Sequence, residues 1–471
     1  MIDICELTVQ DIQKAYASGE LSCLELTLRY LERIAAIDSE KLHSVLEVNP
    51  DAIDIAESLD REYAQKGPRG PLHGIPVLIK DNIDTHDKMH TTAGSLALQN
   101  NIAPRDAHIV KRLREAGALI LGKTNLTEFA NFLTDDMRNG YSSRGGATLN
   151  PYGDDLDVGG SSAGSGAAVS ANLCAVAVGT ETSGSILCPA NWNGVVGIKP
   201  TKGLVSRTGI IPICTAQDTA GPIARTVADA AALLTVLSGT DPEDPATGFI
   251  EPYLTDFTQF LDKDALAGKR IGVNTLATAK YPAEHQALLP AALKALEDAG
   301  ATLIEVEAKS CEGVMDVLLY EFKTCLNAYL AGCDDPGSKT LEEIIAYNAA
   351  DPENCLRYGQ TIALAAQNET NGRLTEKKYL TSRVNLLRRS RAVIDGLLRE
   401  HRLDGIVQLG WGSLPPASGY PAICVPIGVG AQTNHPIGIT FMGTAFSEPQ
   451  LIAMAYAFEQ KFGGRVPPKI Q

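Results

Sequence analysis

The stretch "GIPVLIK", residues 74–80, is a short apolar run that begins at a glycine and has the composition of a buried β-strand. Three further runs have the same texture: "GALILGKT" (117–124), "CAVAVGT" (174–180) and "GVVGIKP" (194–200). Helix-like segments such as "DAHIVKRLREAG" (106–117) separate them. This alternation predicts an α/β fold, a single large domain with a mixed, mainly parallel central β-sheet covered by helices on both faces.

The chain of 471 residues is long enough for two or three domains, but its texture favours four segments of one domain. Residues 1–65 are predicted to form an N-terminal helical layer, and residues 66–240 carry most of the strand-like runs. Residues 241–403 combine a further sheet-and-helix unit with a mainly helical, polar stretch that we expect to cover the substrate. Residues 404–471 return to strand texture and close with a helix.

The charge balance argues against two classes of partner. The net charge is −15, from 56 acidic and 41 basic residues, which disfavours attraction to nucleic acid and to anionic membranes. No stretch of 18 apolar residues is present, which excludes an ordinary transmembrane helix. The N-terminal "MIDICELTVQDIQ" lacks the basic and apolar regions of a secretory signal. We therefore expect a cytoplasmic protein that binds neither nucleic acid nor membranes.

The ten cysteines are scattered along the chain, and no two have C-x-x-C spacing. Neither a zinc site nor a redox dithiol is therefore indicated. Reduced, mostly buried thiols are the expectation, and they agree with a cytoplasmic location.

A glycine-rich turn in "VGGSSAGSGAAVSANL" (158–173) offers four serines. Gly160–Gly164 matches G-x-S-x-G, the nucleophile elbow that would make Ser162 the attacking group. That elbow requires a buried strand before it, whereas the preceding "NPYGDDLDV" (150–158) is polar. A phosphate-binding loop is equally poorly supported, because G-x-x-x-x-G-K-[ST] is absent.

A second serine cluster follows in "AVAVGTETSGSIL" (175–187), where a strand-like run leads into a Gly/Ser turn. Such a turn can direct several backbone N–H groups at one point, as a tetrahedral oxyanion requires. Ser185, at the end of the turn, is placed like a nucleophile. An ordinary β-turn with a capping serine is the alternative.

A base other than histidine is required, because no histidine lies near either serine cluster. The apolar run of residues 74–80 ends on Lys80. Burial there would lower the pKa of the lysine toward the neutral, basic form. A lysine that reaches the solvent, or one paired with Asp81 or Asp84, is the alternative.

Taken together, these residues resemble the amidase signature family of Ser–Ser–Lys hydrolases. The resemblance covers about residues 70–231, and Ser161 and Ser185 are 24 residues apart, as the family's two serines are. The stretches that carry it, in order, are "GIPVLIKDNI", "LGKTNLTEFA", "GGATLNPY", "GGSSAGSGAAV", "GTETSGSILCPA", "NGVVGIKPTKGLVS" and "DTAGPIARTVADAA".

The resemblance implies the amidase signature fold, with residues 66–240 as its catalytic core. It makes Ser185 the nucleophile, Ser161 the bridging serine and Lys80 the base, and it implies a cis peptide bond between Gly160 and Ser161. No metal or organic cofactor is implied. The implied oxyanion hole consists of the backbone N–H groups of Thr182, Ser183, Gly184 and Ser185.

Within the family, stretches such as "TTAGSLALQ" and "SSRGGATLNPY" are most similar to bacterial peptide amidases. This implies an amidase that releases ammonia from the C-terminal carboxamide of peptides through an acyl-enzyme, and that leaves ordinary peptide bonds intact. Alternatives are hydrolysis of aryl, aliphatic or fatty amides, or the glutaminase A-type subunit of a tRNA-dependent amidotransferase.

Two positions depart from the related sequences. Leu187 stands where many family members have arginine, which weakens the amidotransferase alternative, and Ser183 stands where peptide amidases are expected to have aspartate. We expect residues 311–402 and 134–146 to form opposite walls of the substrate pocket. The expected partner is a peptide or small-molecule amide, with no obligatory protein partner.

Overall fold

The computed structural model describes residues 2–470. Its strands, in chain order, are β1 Val45–Val48, β2 Pro76–Lys80, β3 Leu119–Thr124, β4 Tyr141–Ser142, β5 Gly146–Ala147, β6 Val176–Glu181, β7 Val196–Lys199, β8 Thr219–Ala224, β9 Arg270–Asn274, β10 Thr302–Val306, β11 Gly405–Leu409, β12 Ala422–Val429 and β13 Pro436–Met442. Within the described range, β4 and β5 form a small hairpin and the other eleven strands form one sheet.

The order of strands across the sheet is β1-β3-β2-β6-β8-β7-β12-β13-β11-β9-β10. The pairs β3–β2, β2–β6, β11–β9 and β9–β10 are parallel, and the six other pairs are antiparallel. The α/β class, the single domain and the mixed sheet are confirmed. The expectation of mainly parallel pairing holds only near the two ends of the sheet. The middle pairs are antiparallel, and of these only β12–β13 is joined by a short connection.

Helices flank the sheet on both faces. In chain order they are α1 Val9–Ser18, α2 Cys23–Arg33, α3 Ala52–Lys66, α4 His108–Glu115, α5 Glu128–Asn131, α6 Ala163–Ser170, α7 Leu187–Trp192, α8 Val227–Leu237, α9 Thr275–Thr278, α10 Ala283–Gln286, α11 Leu289–Asp298, α12 Val314–Leu330, α13 Leu341–Ala350, α14 Pro352–Cys355, α15 Thr361–Glu369, α16 Lys377–Glu400, α17 Leu414–Ser418 and α18 Glu448–Phe462. A π-helical segment, Ile34–Leu42, extends α2, and 3₁₀ turns lie at Leu96–Leu98, Pro245–Thr247, Glu251–Tyr253 and Phe257–Phe260.

The N-terminal segment departs from the prediction of a wholly helical layer. Thr8 closes a capping box with Asp11 at the start of α1, as the sequence of that turn favours. After α2, however, β1 joins the edge of the sheet antiparallel to β3, with Val48 opposite Gly122. Only four residues pair, so the strand is too short to leave a period-2 signal between its neighbouring helices.

The strand that carries Lys80 is buried along its whole length. Every residue of β2 is inaccessible to solvent, because parallel partners flank it on both sides and helices cover the sheet. A strand buried on both faces is built from a continuous apolar run, which is why "PVLI" shows no alternation. Lys80, the final residue of β2, is therefore buried at the point where the chain leaves the sheet.

A second hydrophobic cluster joins the polar helical segment to the core. The ring of Phe322 in α12 packs edge-to-face on Phe129 and Phe132, with ring centroids 6.2 Å and 5.1 Å apart. These contacts fix α12 beside the residues that follow β3. Among the residues that the structure describes, no helix is both long and apolar enough to cross a membrane.

Candidate active site

Lys80 lies at the carboxyl end of β2 with no part of its side chain exposed. Its Nζ donates hydrogen bonds to Ser161 Oγ at 2.7 Å and to Thr180 Oγ1 at 2.8 Å. Burial lowers the pKa of Lys80 to about 7, while the Asp218 and Glu181 carboxylates act in the opposite direction. The side chain can therefore exchange a proton near neutral pH.

Ser161 lies on the glycine-rich turn that precedes α6, and the peptide bond between Gly160 and Ser161 is cis, the form that the resemblance implies. A Cβ at Gly160 would lie 2.6 Å from Thr127 Oγ1, so the turn requires glycine there. The carbonyl of Ser161 accepts a hydrogen bond from the Thr127 backbone N–H at 3.0 Å. These contacts hold the Ser161 hydroxyl against Lys80.

Ser162 and Ser165, the other candidate hydroxyls of this turn, bond to the strands beneath it. Ser162 Oγ donates to the carbonyl of Thr180 at 3.1 Å and accepts from its N–H at 3.2 Å. Ser165 Oγ pairs with Thr124 Oγ1 at 2.8 Å. Both hydroxyls are therefore engaged in structural bonds, which does not fit the elbow hypothesis for Ser162.

The second serine turn follows β6 and leads into α7. Ser185 lies in this turn with 8% of its surface exposed, and its carbonyl accepts a hydrogen bond from the Ser162 N–H at 3.2 Å. That bond joins the two serine turns directly beside Lys80 and Ser161. In the part of the chain that the structure describes, no hydrogen bond links the hydroxyls of Ser161 and Ser185.

The backbone of this turn presents unused donors. Within residues 2–470, no acceptor takes the N–H group of Thr182, Ser183 or Ser185. Donors left free beside a nucleophile are suited to a developing oxyanion. Burial raises the pKa of Glu181, and a hydrogen bond from the Gly184 N–H, the fourth expected donor, acts in the opposite direction. The Gly184 N–H therefore lies near the Glu181 carboxylate.

Glu181 holds the turn from inside the protein. Its Oε2 accepts hydrogen bonds from the N–H groups of Ile186 and Leu187 at 2.8 Å and 3.0 Å. Leu187 is wholly buried, so the position that holds arginine in many family members contributes no surface to the site. Ile186, the residue after Ser185, is thereby fixed by a buried carboxylate.

Two further residues support the turn from outside it. The Trp411 ring packs on Gly184, whose φ of 99° and contact with the indole leave no room for a side chain. Asp218 Oδ1 accepts the Thr182 hydroxyl at 2.6 Å, and its Oδ2 accepts two backbone N–H groups at 2.9 Å. Asp218 lies in the quoted motif "DTAGP", whereas Trp411 has no local signal in the sequence.

A cavity of about 560 Å³ adjoins this centre. Thr180 and Thr182 line its inner end, and α12 forms one wall through Thr324, Ala328 and Tyr329. The helical segment 311–402 thus supplies wall residues, as expected. Segment 134–146 supplies none, and Ala130 and the loop around Ile211 stand there instead, because Thr134 and Asp135 bond to Thr361 away from the cavity.

Comparison with known proteins places the chain in a family. Residues 25–408 match the amidase family. The X-ray structure of the native peptide amidase from Stenotrophomonas maltophilia is 45% identical, covers 99% of both chains and has a TM-score of 0.94. A probable amidase of Arabidopsis thaliana is 43% identical over 99% of this chain and 92% of its own length.

The A-type subunit of the glutamyl-tRNA(Gln) amidotransferase of Thermosynechococcus vestitus is 35% identical over 96% of this chain and 97% of its own length. The chain therefore belongs to the amidase family, as its sequence motifs indicate, and it is an amidase hydrolase.

Proposed function

We propose that this amidase removes the C-terminal carboxamide of peptides and releases ammonia, with Ser185 as nucleophile, Ser161 as bridging serine and Lys80 as base. The observation that carries the proposal is the hydrogen bond from the buried Lys80 Nζ to Ser161 Oγ, 2.7 Å long, beside the turn that ends at Ser185. An amine with a pKa of about 7 that contacts the Ser161 hydroxyl is suited to accept a proton during nucleophilic attack by Ser185.

In the first step, Ser185 Oγ forms a bond to the carboxamide carbon. Its proton passes to Ser161 Oγ as the Ser161 proton passes to Lys80 Nζ. The N–H groups of Thr182, Ser183, Gly184 and Ser185 stabilise the oxyanion, and each such donor is typically worth about 10²–10³ in rate. The same relay then returns the proton to the leaving nitrogen, and the C–N bond breaks to release ammonia.

In the second step, water attacks the Ser185 ester. Its proton follows the same path to Lys80, the C–O bond to Ser185 breaks, and the proton returns to the Ser185 oxygen. A peptide with a free carboxylate leaves. Every step uses only side chains and backbone groups of this chain and water.

Two observations support peptide amides as the substrate class. The cavity beside Thr182 has about 560 Å³ of space, which accommodates several residues of an extended chain. The similarity to the S. maltophilia peptide amidase extends over 99% of both chains.

The proposal is tested by ammonia release from the purified chain, with Ser185→Ala as control. The substrates are a tetrapeptide amide, free glutamine, an aryl amide and a long-chain fatty amide. We expect the tetrapeptide amide to have the highest kcat/KM, and Ser185→Ala to lose at least about 10⁴-fold while it stays folded. Unchanged turnover in Ser185→Ala would overturn the assignment of the nucleophile.

The second candidate function is a glutaminase component of an amidotransferase, which the 35% identity to the T. vestitus protein supports. We propose instead that the chain acts without a protein partner. Because all ten cysteines are free thiols, we also propose that it works in the cytoplasm. Ammonia release from glutamine and from no other substrate of the panel would favour the glutaminase. Ammonia release that requires an added partner protein would favour it as well.

A further inference from the structure

The buried carboxylate of Asp84 lies on the wall of the cavity beside the serine turns. Thr180, which contacts Lys80, and Thr182 line this cavity, and so do Asp84 and its partner Tyr329. The wall also includes the apolar side chains of Ile210, Ile211 and Ala328. An occupant therefore extends from the reacting centre along an apolar wall toward Asp84.

The other charges on the cavity wall already have partners. Arg105 pairs with Glu243 at 2.6 Å, and Arg207 Nε donates to Asp244 at 2.9 Å. The Asp218 carboxylate accepts three hydrogen bonds from the protein. Arg105 and Arg207 are thus neutralised by these partners, and both oxygens of Asp218 are occupied by donors of the protein. Glu181, which also lines the cavity, accepts two backbone N–H groups of the serine turn.

Asp84 differs from them. It is 5% exposed and faces the cavity, and its side chain accepts one hydrogen bond, from the Tyr329 hydroxyl to Oδ1 at 2.7 Å. Within residues 2–470 it forms no ion pair. Burial raises the pKa of Asp84 to about 6, and the charges of Lys123 and Arg105 lower it only in part. Asp84 Oδ2 accepts no hydrogen bond within the described residues, so this buried carboxylate can still bind a cationic group that enters the cavity.

The backbone distance from Lys80 to Asp84 is that of a short peptide. The backbone turns between Lys80 and Ile83, where the Ile83 N–H donates to the Lys80 carbonyl at 3.0 Å. This turn keeps the Cα atom of Asp84 within about 11 Å of that of Lys80. Two or three residues of an extended peptide span about 7–11 Å. The N-terminus of a dipeptide or tripeptide amide would thus reach Asp84 when its carboxamide lies at Ser185.

We propose that Asp84 is an ammonium subsite, which binds the free α-ammonium group of dipeptide and tripeptide amides. The inference rests on the proposed function, because it assumes that a carboxamide lies in the turn at Ser185. Tyr329 lies in α12, and its hydroxyl donates a hydrogen bond to the Asp84 carboxylate and positions it. The subsite makes this enzyme selective for short peptide amides with an unblocked N-terminus.

The test compares kcat/KM for a tripeptide amide with that for its N-acetyl derivative. We expect the wild-type enzyme to favour the free tripeptide amide by at least about tenfold, mainly through KM, because a charge-assisted hydrogen bond is lost on acetylation. In Asp84→Asn the two substrates should differ by less than about threefold. For a hexapeptide amide, whose N-terminus lies beyond Asp84, acetylation should have no effect even in the wild-type enzyme.

Two control variants separate the subsite from a general electrostatic effect. Glu243→Gln removes a carboxylate from the same cavity wall and should leave the preference for the free tripeptide amide unchanged. Tyr329→Phe keeps the Asp84 charge and should retain the direction of that preference. Loss of the preference in Glu243→Gln to the extent seen in Asp84→Asn would overturn the subsite.

Two other outcomes are distinguishable. Equal turnover of free and acetylated tripeptide amides by the wild-type enzyme would overturn the subsite and leave the proposed function intact. A decrease in kcat/KM by the same factor for both substrates in Asp84→Asn would likewise overturn the subsite and leave the proposed function intact. Failure of the wild-type enzyme to hydrolyse any peptide amide would remove the proposed function and the subsite together.

Discussion

Lys80 and Lys123 end neighbouring parallel strands, and both side chains are wholly buried. Lys80 lies opposite Thr124 in the register and Lys123 lies opposite Ile79, so the two ammonium groups leave opposite faces of the sheet. Lys80 bonds to the hydroxyls of Ser161 and Thr180. Lys123 Nζ donates instead to the Ile83 carbonyl at 2.6 Å and to Thr91 Oγ1 at 2.8 Å.

The difference shows that burial alone does not make a lysine a base. Burial lowers the pKa of both lysines, and carboxylates counteract it at both, Asp218 and Glu181 at Lys80, Asp81 and Asp84 among others at Lys123. Lys123 joins the backbone segments around Ile83 and Thr91 by its hydrogen bonds. Both lysines contact a hydroxyl, but the hydroxyl at Lys80 is that of Ser161, whose turn is bonded to the turn of Ser185.

The largest expected effect separates the two lysines directly. Lys80→Met should lower kcat/KM for a peptide amide by roughly 10²–10⁴-fold, because the base is lost. Lys123→Met should instead lower the free energy of unfolding by about 2–4 kcal/mol, because buried acceptors lose their donor. Activity assays and urea denaturation of both variants measure this. Equal loss of activity in Lys80→Met and Lys123→Met, with both variants folded, would contradict the difference in role between the two lysines.

The next effect concerns the hydroxyl that Lys80 contacts. Ser161→Ala should lower kcat/KM by roughly 10²–10³-fold, because the relay between Lys80 and Ser185 is broken. Ser162→Ala is the matched control in the adjacent position, and it should cost about 1 kcal/mol of stability and less than about tenfold in activity. Steady-state kinetics on both variants decide between them. A larger loss of activity in Ser162→Ala than in Ser161→Ala would support the elbow hypothesis, in which Ser162 is the nucleophile.

The pH dependence follows from the pKa of Lys80, which is about 7. The base must be neutral to accept a proton, so kcat/KM should rise with pH through about 7 and then level off. Below that value it should fall about tenfold for each pH unit. A pH–rate profile from pH 5 to 9 measures this, with an N-acetyl peptide amide as substrate because its N-terminus does not titrate. A profile that falls on the alkaline side of pH 7 contradicts a lysine base.

The smallest expected effect comes from Asp218, whose negative charge raises the pKa of Lys80. Asp218→Asn removes that charge, so the pKa of Lys80 should fall further. The acidic limb of the pH–rate profile should then move to lower pH by less than about one unit. The same profile recorded for Glu243→Gln, which lines the outer cavity, should not move. A shift of the Asp218→Asn profile to higher pH would exclude this role for the carboxylate.

Much of this arrangement is local in the sequence. The apolar runs that end at Lys80 and Glu181 identify two strands, and the glycine-rich turns before α6 and after β6 contain Ser161 and Ser185. The strand alternation therefore predicts the α/β class and the mixed sheet. The C-terminal helix α18 has the bounds that its sequence "EPQLIAMAYAFEQKF" suggests.

The rest depends on contacts between residues far apart in the chain. Trp411 packs on Gly184 although 226 positions lie between the two residues, and Tyr329 reaches Asp84 from a helix 245 residues later. The antiparallel middle of the sheet depends on how β8, β7, β12 and β13 are ordered, which no local pattern encodes. Residues 134–146 do not line the cavity beside Thr182, and their predicted contact with the substrate stays a prediction.

The central claim is that Ser185, and not Ser161, forms the covalent bond to the substrate. The most direct measurement is to mix the enzyme with an excess of a tripeptide amide, quench with acid during turnover and locate the acyl group by mass spectrometry. Proteolysis after Glu181 separates the fragment that contains Ser161 from the one that contains Ser185. We predict an added acyl mass on the Ser185 fragment alone. An acyl group on the Ser161 fragment would contradict the account.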